Sequence, residues 1–241
     1  MKPTGSAADF IPPGASLTKL RAAVDGCRGC SLYKNATQAV FGEGPSRARV
    51  VFIGEQPGDV EDAAGRPFVG PSGKLLDRAL EAAGIDREDV YLTNAVKHFK
   101  WARDARSVRR LHKTPSAGEV RACLPWLEHE IAIVRPDVIV CLGAIAAKAL
   151  LGRQFSVIKQ RGTAIESEWG DVVFATVHPS AVLRAPRGER QRAERQFVAD
   201  LRTVARHLAH PASDRKSDGK RDERGTRKFS PWSTTAHRSS T

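Results

Sequence analysis

The chain has 241 residues, 41% hydrophobic and 27% charged, with 39 Lys and Arg against 27 Asp and Glu and a formal charge of +12. No stretch approaches the roughly 18–20 uninterrupted apolar residues of a membrane span, and the N-terminus lacks the basic-then-apolar layout of a secretory signal. A cytoplasmic protein of one compact domain plus tails is expected, with no membrane partner, and its cationic excess suits nucleic acid because Lys and Arg on phosphates release counterions.

Residues 1–15, with Pro3, Pro12, Pro13 and Gly14, read as a flexible lead-in to a domain over 16–210. A helical pattern over 16–25 runs into Cys27-Arg28-Gly29-Cys30. Apolar runs rich in β-branched residues over 49–54, 90–96, 137–143 and 172–177 predict buried strands. Helices are predicted over 72–83, 116–134, 144–151 and 189–209. Strand and helix alternate, which predicts an α/β fold: three layers, α/β/α, around a central, mainly parallel four-stranded sheet. Ligands in such folds sit beyond the carboxyl ends of the strands. Glu55 and Gln56, Asn94 and His178 stand at those ends. Residues 211–241 carry eight Lys and Arg against four Asp and Glu and almost nothing apolar, so a disordered basic tail is expected there, with +8 left on 1–210.

Four cysteines are a ligand count: the Cys27 and Cys30 pair, then Cys123 and Cys141 with seventeen residues between them. Structural disulfides are disfavoured in a cytoplasmic chain. A zinc site, an iron–sulfur cluster, a redox pair and plain buried thiols all remain open, although the second spacing is unlike a zinc ribbon's second knuckle. Between residues 97 and 121 lie eight Lys and Arg against Asp104 and Glu119, interleaved with Phe99 and Trp101. Bases and phosphates would suit such a loop, rings for stacking and cations for pairing. His112, between Arg109-Arg110 and Lys113, should be held neutral by those charges, and a neutral imidazole is a nucleophile.

Gly54-Glu55-Gln56-Pro57-Gly58, the following Asp59 and Asp62, Gly65-Arg66-Pro67-Phe68-Val69-Gly70 and His178-Pro179-Ser180 resemble motifs of the uracil-DNA glycosylase superfamily, in its iron–sulfur family 4 branch. The resemblance spans about residues 27–184. Gln56 and the loop Arg109-Arg110-Leu111-His112-Lys113-Thr114-Pro115-Ser116 further resemble the UdgX subgroup, whose basic insertion usually ends Lys-Arg-Arg-Ile-His. Here Val108 and Leu111 replace the lysine and isoleucine, which reduces the loop's charge slightly and leaves the histidine.

The resemblance implies the uracil-DNA glycosylase fold and action on uracil in DNA, the nucleotide flipped into a pocket, with single strands the easier source. It implies a [4Fe-4S] cluster on Cys27, Cys30, Cys123 and Cys141. Asn94 would read the uracil edge and Phe68 stack on the base, with Gly54 and Asp59 lining the same pocket. His178 would donate to the base O2, Glu55 would face the sugar and hydrogen-bond His112, and Gln56, unable to deprotonate water, would leave the field to His112. Arg109, Arg110, Lys113 and Arg184 would hold the DNA. In the UdgX subgroup the loop histidine bonds to C1′ of the abasic site after excision, so one turnover by a monomer is expected. The alternatives are a multiple-turnover family 4 glycosylase and a non-enzymatic iron–sulfur DNA-binding or redox-sensing protein.

Overall fold

The computed structural model describes residues 5–104 and 108–209. Four parallel strands form its centre: β1 (Val50–Gly54), β2 (Val90–Asn94), β5 (Val138–Leu142) and β7 (Gly170–Thr176). A fifth, β6 (Ile165–Ser167), pairs antiparallel with β7, giving the order β2-β1-β5-β7-β6. The sheet therefore has five strands, not the four expected. The three residues of β6 are only partly buried and carry no apolar run, so the hydrophobic pattern could not flag them.

Two helical layers cover the sheet. Val50, Phe52, Val140, Leu142 and Phe174 face α3 (Pro71–Ala83), α7 (Pro179–Leu183) and α8 (Arg187–Ala209) in one continuous core. The alternate residues face the other way, where the Tyr91 and Thr93 hydroxyls donate to Glu130 of α4 (Ala117–Val134). Here α1 (Leu17–Val24) packs beside α4. Three shorter helices, α2 (Asp59–Ala64), α5 (Ala144–Leu151) and α6 (Val157–Gln160), complete the domain. None of these helices is long and apolar enough to cross a membrane.

The lead-in expected to be flexible is ordered over its described part. A 3-10 turn at Ala7–Phe10 lies against α4, Ala7 is fully buried, and a Cβ on Gly29 would come within 2.7 Å of the Ala7 nitrogen. Gly29 inside the cysteine pair thus lets the N-terminal segment close over the Cys27–Cys30 turn. The tail expected over 211–241 lies outside the described residues.

The stretch expected as an open basic loop folds back on itself. β3 (Trp101–Arg103) and β4 (Arg110–His112) pair antiparallel, with Trp101 opposite His112. Ser116 then caps α4: its hydroxyl accepts from the Glu119 N–H, and the Glu119 carboxylate accepts from the Ser116 N–H at 2.6 Å.

Candidate active site

The parallel strands end together at one edge, and the side chains singled out in the sequence gather there. Gly54 ends β1 opposite Asn94 at the end of β2. A Cβ on Gly54 would fall on the Asn94 side-chain oxygen and lie 2.8 Å from the Phe68 ring, so glycine is what lets these two groups meet over the strand end. Phe68 reaches this place through a left-handed backbone (φ 56°), and its carbonyl packs so closely on Gly73 that no side chain fits there. Glu61 supports the turn by accepting from Gly58 N–H at 3.1 Å and Gly70 N–H at 2.7 Å. The Phe68 and His178 rings lie nearly parallel, with centroids 6.3 Å apart.

His178 caps α7. Its Nδ1 accepts from the Ser180 N–H at 3.1 Å and stands 2.8 Å from the Ser180 hydroxyl. A ring nitrogen that accepts from a backbone N–H carries no proton, so the proton sits on Nε2. Burial first, then the Arg184 and His112 charges, lower the His178 pKa to about 4. The ring is therefore a neutral Nε2–H donor at physiological pH.

Beyond β1, Gln56 is gripped by the hairpin. Its Oε1 accepts from the Lys100 N–H at 3.0 Å, which orients the amide. Nε2 then faces the Lys100 and Lys113 carbonyls at 3.2 and 3.1 Å and His112 Nε2 at 3.0 Å. An amide nitrogen only donates, so His112 Nε2 accepts and presents a lone pair. Burial and the Arg184 charge both lower the His112 pKa, favouring that neutral form. Glu55 Oε1 lies 3.8 Å from the same nitrogen, too far for the hydrogen bond expected of this pair, so Gln56 and not Glu55 sets the tautomer. That oxygen is buried with no hydrogen-bond partner among the described residues. Burial pushes the Glu55 carboxyl above the usual carboxylate range, against the pull of Arg184. The His112 side chain remains 49% exposed, open to an incoming molecule.

Two sequence expectations change here. Arg110 and Asp59 were expected to contact DNA and substrate respectively, but they bind each other. The Arg110 guanidinium also grips the fully buried Asp62 carboxylate and the Thr37 hydroxyl, and stacks on the Phe99 and Trp101 rings. Asp62 in turn accepts from the Thr37 N–H at 3.0 Å, so the guanidinium is held where it neutralises a buried charge. Phe99 is buried, so its ring is not offered to bases as expected; Trp101 is half-buried, and its N–H donates to the Asn35 carbonyl. Arg109, Lys113 and Arg184 are exposed. Arg184 acts on Glu55, His112 and His178 together.

A further residue, missed in the sequence, positions Asn94. Lys97 is fully buried and ion-paired to Glu130, and its ammonium donates to Thr93 Oγ1 at 2.7 Å and to the Asn94 carbonyl at 2.9 Å. A lysine inside an apolar run, with its partner 33 positions downstream, gives no local signal of that pairing.

The cysteines divide. Cys27, Cys30 and Cys123 are buried; burial first, then the nearby Cys27, raises the Cys30 thiol, and burial first, with Cys30 and Cys27 in electrostatic reach, raises that of Cys123. Two of these sulfurs accept hydrogen bonds from buried donors, Cys27 from the Trp126 N–H at 3.3 Å and Cys123 from the Lys97 N–H at 3.2 Å. Such donors fit thiolates bound to iron. Cys141 does not join them. It sits within β5 between Ile53 and Ala175, and its thiol is pushed up to about 12 by burial alone. Among the described residues no three His, Cys, Asp or Glu side chains could hold one metal ion. A cluster differs from a single ion, because each protein ligand takes its own iron.

Residues 41–202 match the uracil DNA glycosylase superfamily. The chain is 43% identical over 167 residues to the type-4 uracil-DNA glycosylase of Thermotoga maritima, covering 69% of this chain and 82% of that protein. It is 41% identical to the type-4 enzyme of Pyrobaculum aerophilum, over 73% of this chain and 90% of the relative. The type-4 enzyme of Archaeoglobus fulgidus is 42% identical over 66% and 79% of the two chains. The chain belongs to the uracil-DNA glycosylase superfamily, in its type-4 branch.

Proposed function

We propose that this protein excises uracil from DNA and is then captured by its product, with His112 bonding to C1′ of the abasic sugar. The observation that carries this reading is the placement of His112 Nε2, its lone pair turned toward Gln56 and 3.8 Å from the unpartnered Glu55 oxygen.

The base enters between Phe68 and Asn94, where the amide pairs with O4 and N3–H of uracil and mismatches cytosine. As the glycosidic bond breaks, the departing base takes the electron pair and its negative charge builds on O2, which the His178 Nε2–H faces as donor. The Glu55 carboxylate stabilises the positive sugar. The Gln56 amide then gives up His112 Nε2 while keeping the Lys100 and Lys113 carbonyls as acceptors, the freed lone pair forms the bond to C1′, and the Nδ1 proton is released to give a neutral alkylated imidazole. Gln56 occupies the place from which a base could activate water, and it has no proton-accepting group of adequate basicity. An imidazole fixed beside the cation has the advantage of proximity over mobile water. Arg109, Lys113 and Arg184 supply the DNA-facing cations, and single-stranded DNA is the preferred substrate because its base flips at lower cost.

A [4Fe-4S] cluster belongs to the same reading. Cys27, Cys30 and Cys123 would hold it, and its role is to brace the N-terminal turn, α4 and the start of the hairpin away from the reacting sugar. Uracil release with uracil-DNA in large excess tests the capture. Free uracil should plateau at one per protein chain, and continued release would instead support the multiple-turnover alternative.

A further inference from the structure

The strand that leads into His178 is held at its end by a polar system on the α8 side of the sheet. Thr176 ends β7, two residues before His178, and is 1% exposed. Its hydroxyl donates to Asp200 Oδ2 of α8, and the same oxygen accepts from Arg161 Nε at 2.7 Å. Gly162 closes the clamp. Its backbone is left-handed (φ 71°), its N–H donates to the Ala175 carbonyl at 2.9 Å, and a Cβ there would come within 2.8 Å of Asp200 Oδ1. The Thr176 carbonyl accepts from the Gly143 N–H at 2.9 Å, and a Cβ on Gly143 would lie 3.1 Å from the His178 Cβ. Arg161 Nη2 is buried with no partner among the described residues. A buried N–H left unpaired costs stability, a loss that an ion pair placed for stability alone would avoid.

We propose that Arg161, Asp200 and Thr176 are positioning residues for uracil excision, fixing the end of β7 so that His178 Nε2–H is aimed at the base O2. The proposal rests on the reading of His178 as the O2 donor. His178 has one anchor of its own, the Ser180 N–H on Nδ1 at 3.1 Å, which sets how the ring is turned but not where its backbone stands. The clamp supplies the second anchor. Thr176 is tied by its hydroxyl to α8 and by its carbonyl to the end of β5, and the close approach of His178 to Gly143 passes that position on. Asp200 is the hub, because a charged acceptor strengthens both of the bonds it receives. A donor stabilises developing charge only when it is already in place, and a displacement near 1 Å costs about 100-fold in rate.

Single-turnover excision by the full chain, on oligonucleotides carrying uracil or 5-fluorouracil, tests this. Fluorine stabilises the departing anion, so a misplaced O2 donor matters less for that base. Thr176→Val should slow uracil excision by about 10- to 100-fold and 5-fluorouracil excision by less, with affinity for a thymine control strand unchanged. Thr176→Ser, which keeps the hydroxyl, should restore both rates. His178→Ala should slow uracil excision more than Thr176→Val does, and the double variant should be no slower than His178→Ala, since both changes remove one interaction. The ratio of the two rates within one preparation does not depend on the fraction folded, and Arg161→Gln, which leaves Thr176 intact, should move that ratio in the same direction. An unchanged rate in Thr176→Val, equal slowing on both bases, or additive losses in the double variant would overturn the proposal. His178→Ala that excises uracil at the wild-type rate would instead remove the O2-donor reading, and the positioning role with it.

Discussion

His112 and Glu55 form an unusual pair of residues because each is left in its less stabilised state by the fold. The imidazole is kept neutral by burial and by Arg184, and the carboxyl is desolvated with one oxygen unpartnered. The account therefore predicts a signed pH profile. Adduct formation needs neutral His112, whose pKa lies below 6.5, and ionised Glu55, whose pKa lies above 4.5. Its rate should fall as the pH drops from neutral into the acidic range, where both groups take up protons. A rate that rises on acidification through this window would contradict the assignment of both groups. Glu55→Ala should slow adduct formation by about 100-fold or more, the usual loss when a charge-stabilising group is removed. Gly54→Ala is a test of packing: its new Cβ meets Asn94 and Phe68, so uracil excision should be abolished while the melting temperature shifts little. Wild-type excision by this variant would show that the pocket lies elsewhere.

At the level of elements, the hairpin is what separates this site from an open basic loop. Arg110 holds it against Asp59 and Asp62, and Gln56 stitches its two strands near the base. Arg110→Met should therefore misplace His112 more than it disturbs the base pocket. The adduct rate should fall by about 100-fold, the penalty of a displacement near 1 Å, with product shifting toward free abasic DNA on a denaturing gel. An unchanged ratio of adduct to free product would show that Arg110 has no positioning role. The sequence disclosed this region's charge but not its shape. Eight cations suggested a solvated or DNA-bound loop, whereas Lys97, Lys100 and Arg110 are spent on Glu130, Glu119 and the two aspartates. Those partners lie 19 to 51 residues away along the chain, so no local pattern reveals them. The long parallel strands, by contrast, were legible because they are buried on both faces and read as continuous apolar runs. Three-residue strands such as β3, β4 and β6 offer no such run.

Across the whole molecule, two buried polar systems lie on the α4 side of the sheet and meet at Lys97. Its ammonium pairs with Glu130 and holds Asn94, and its backbone N–H reaches Cys123. Lys97→Met leaves the Glu130 carboxylate buried without its cation, and should cost about 3–5 kcal/mol in urea unfolding of the intact protein. A loss below about 1 kcal/mol would contradict the role given to the Lys97–Glu130 pair. The site's location beyond the strand ends and most of its members were legible, because Glu55, Gln56, Asn94 and His178 interrupt or end apolar runs. The cysteine set was legible only in part. Counting four thiols does not distinguish three that converge from one that fills a strand, and that distinction depends on the register of β5 against β1 and β7.

The central claim is that the protein ends its reaction bonded to DNA through His112. A denaturing gel of wild type and His112→Ser, each incubated with a labelled single-stranded uracil oligonucleotide beside a thymine control, tests it most directly. The account predicts a shifted band that survives SDS and heat for wild type with uracil only, and free abasic DNA with turnover for His112→Ser. A shifted band that persists in His112→Ser, or wild type that yields free abasic DNA alone, would contradict it.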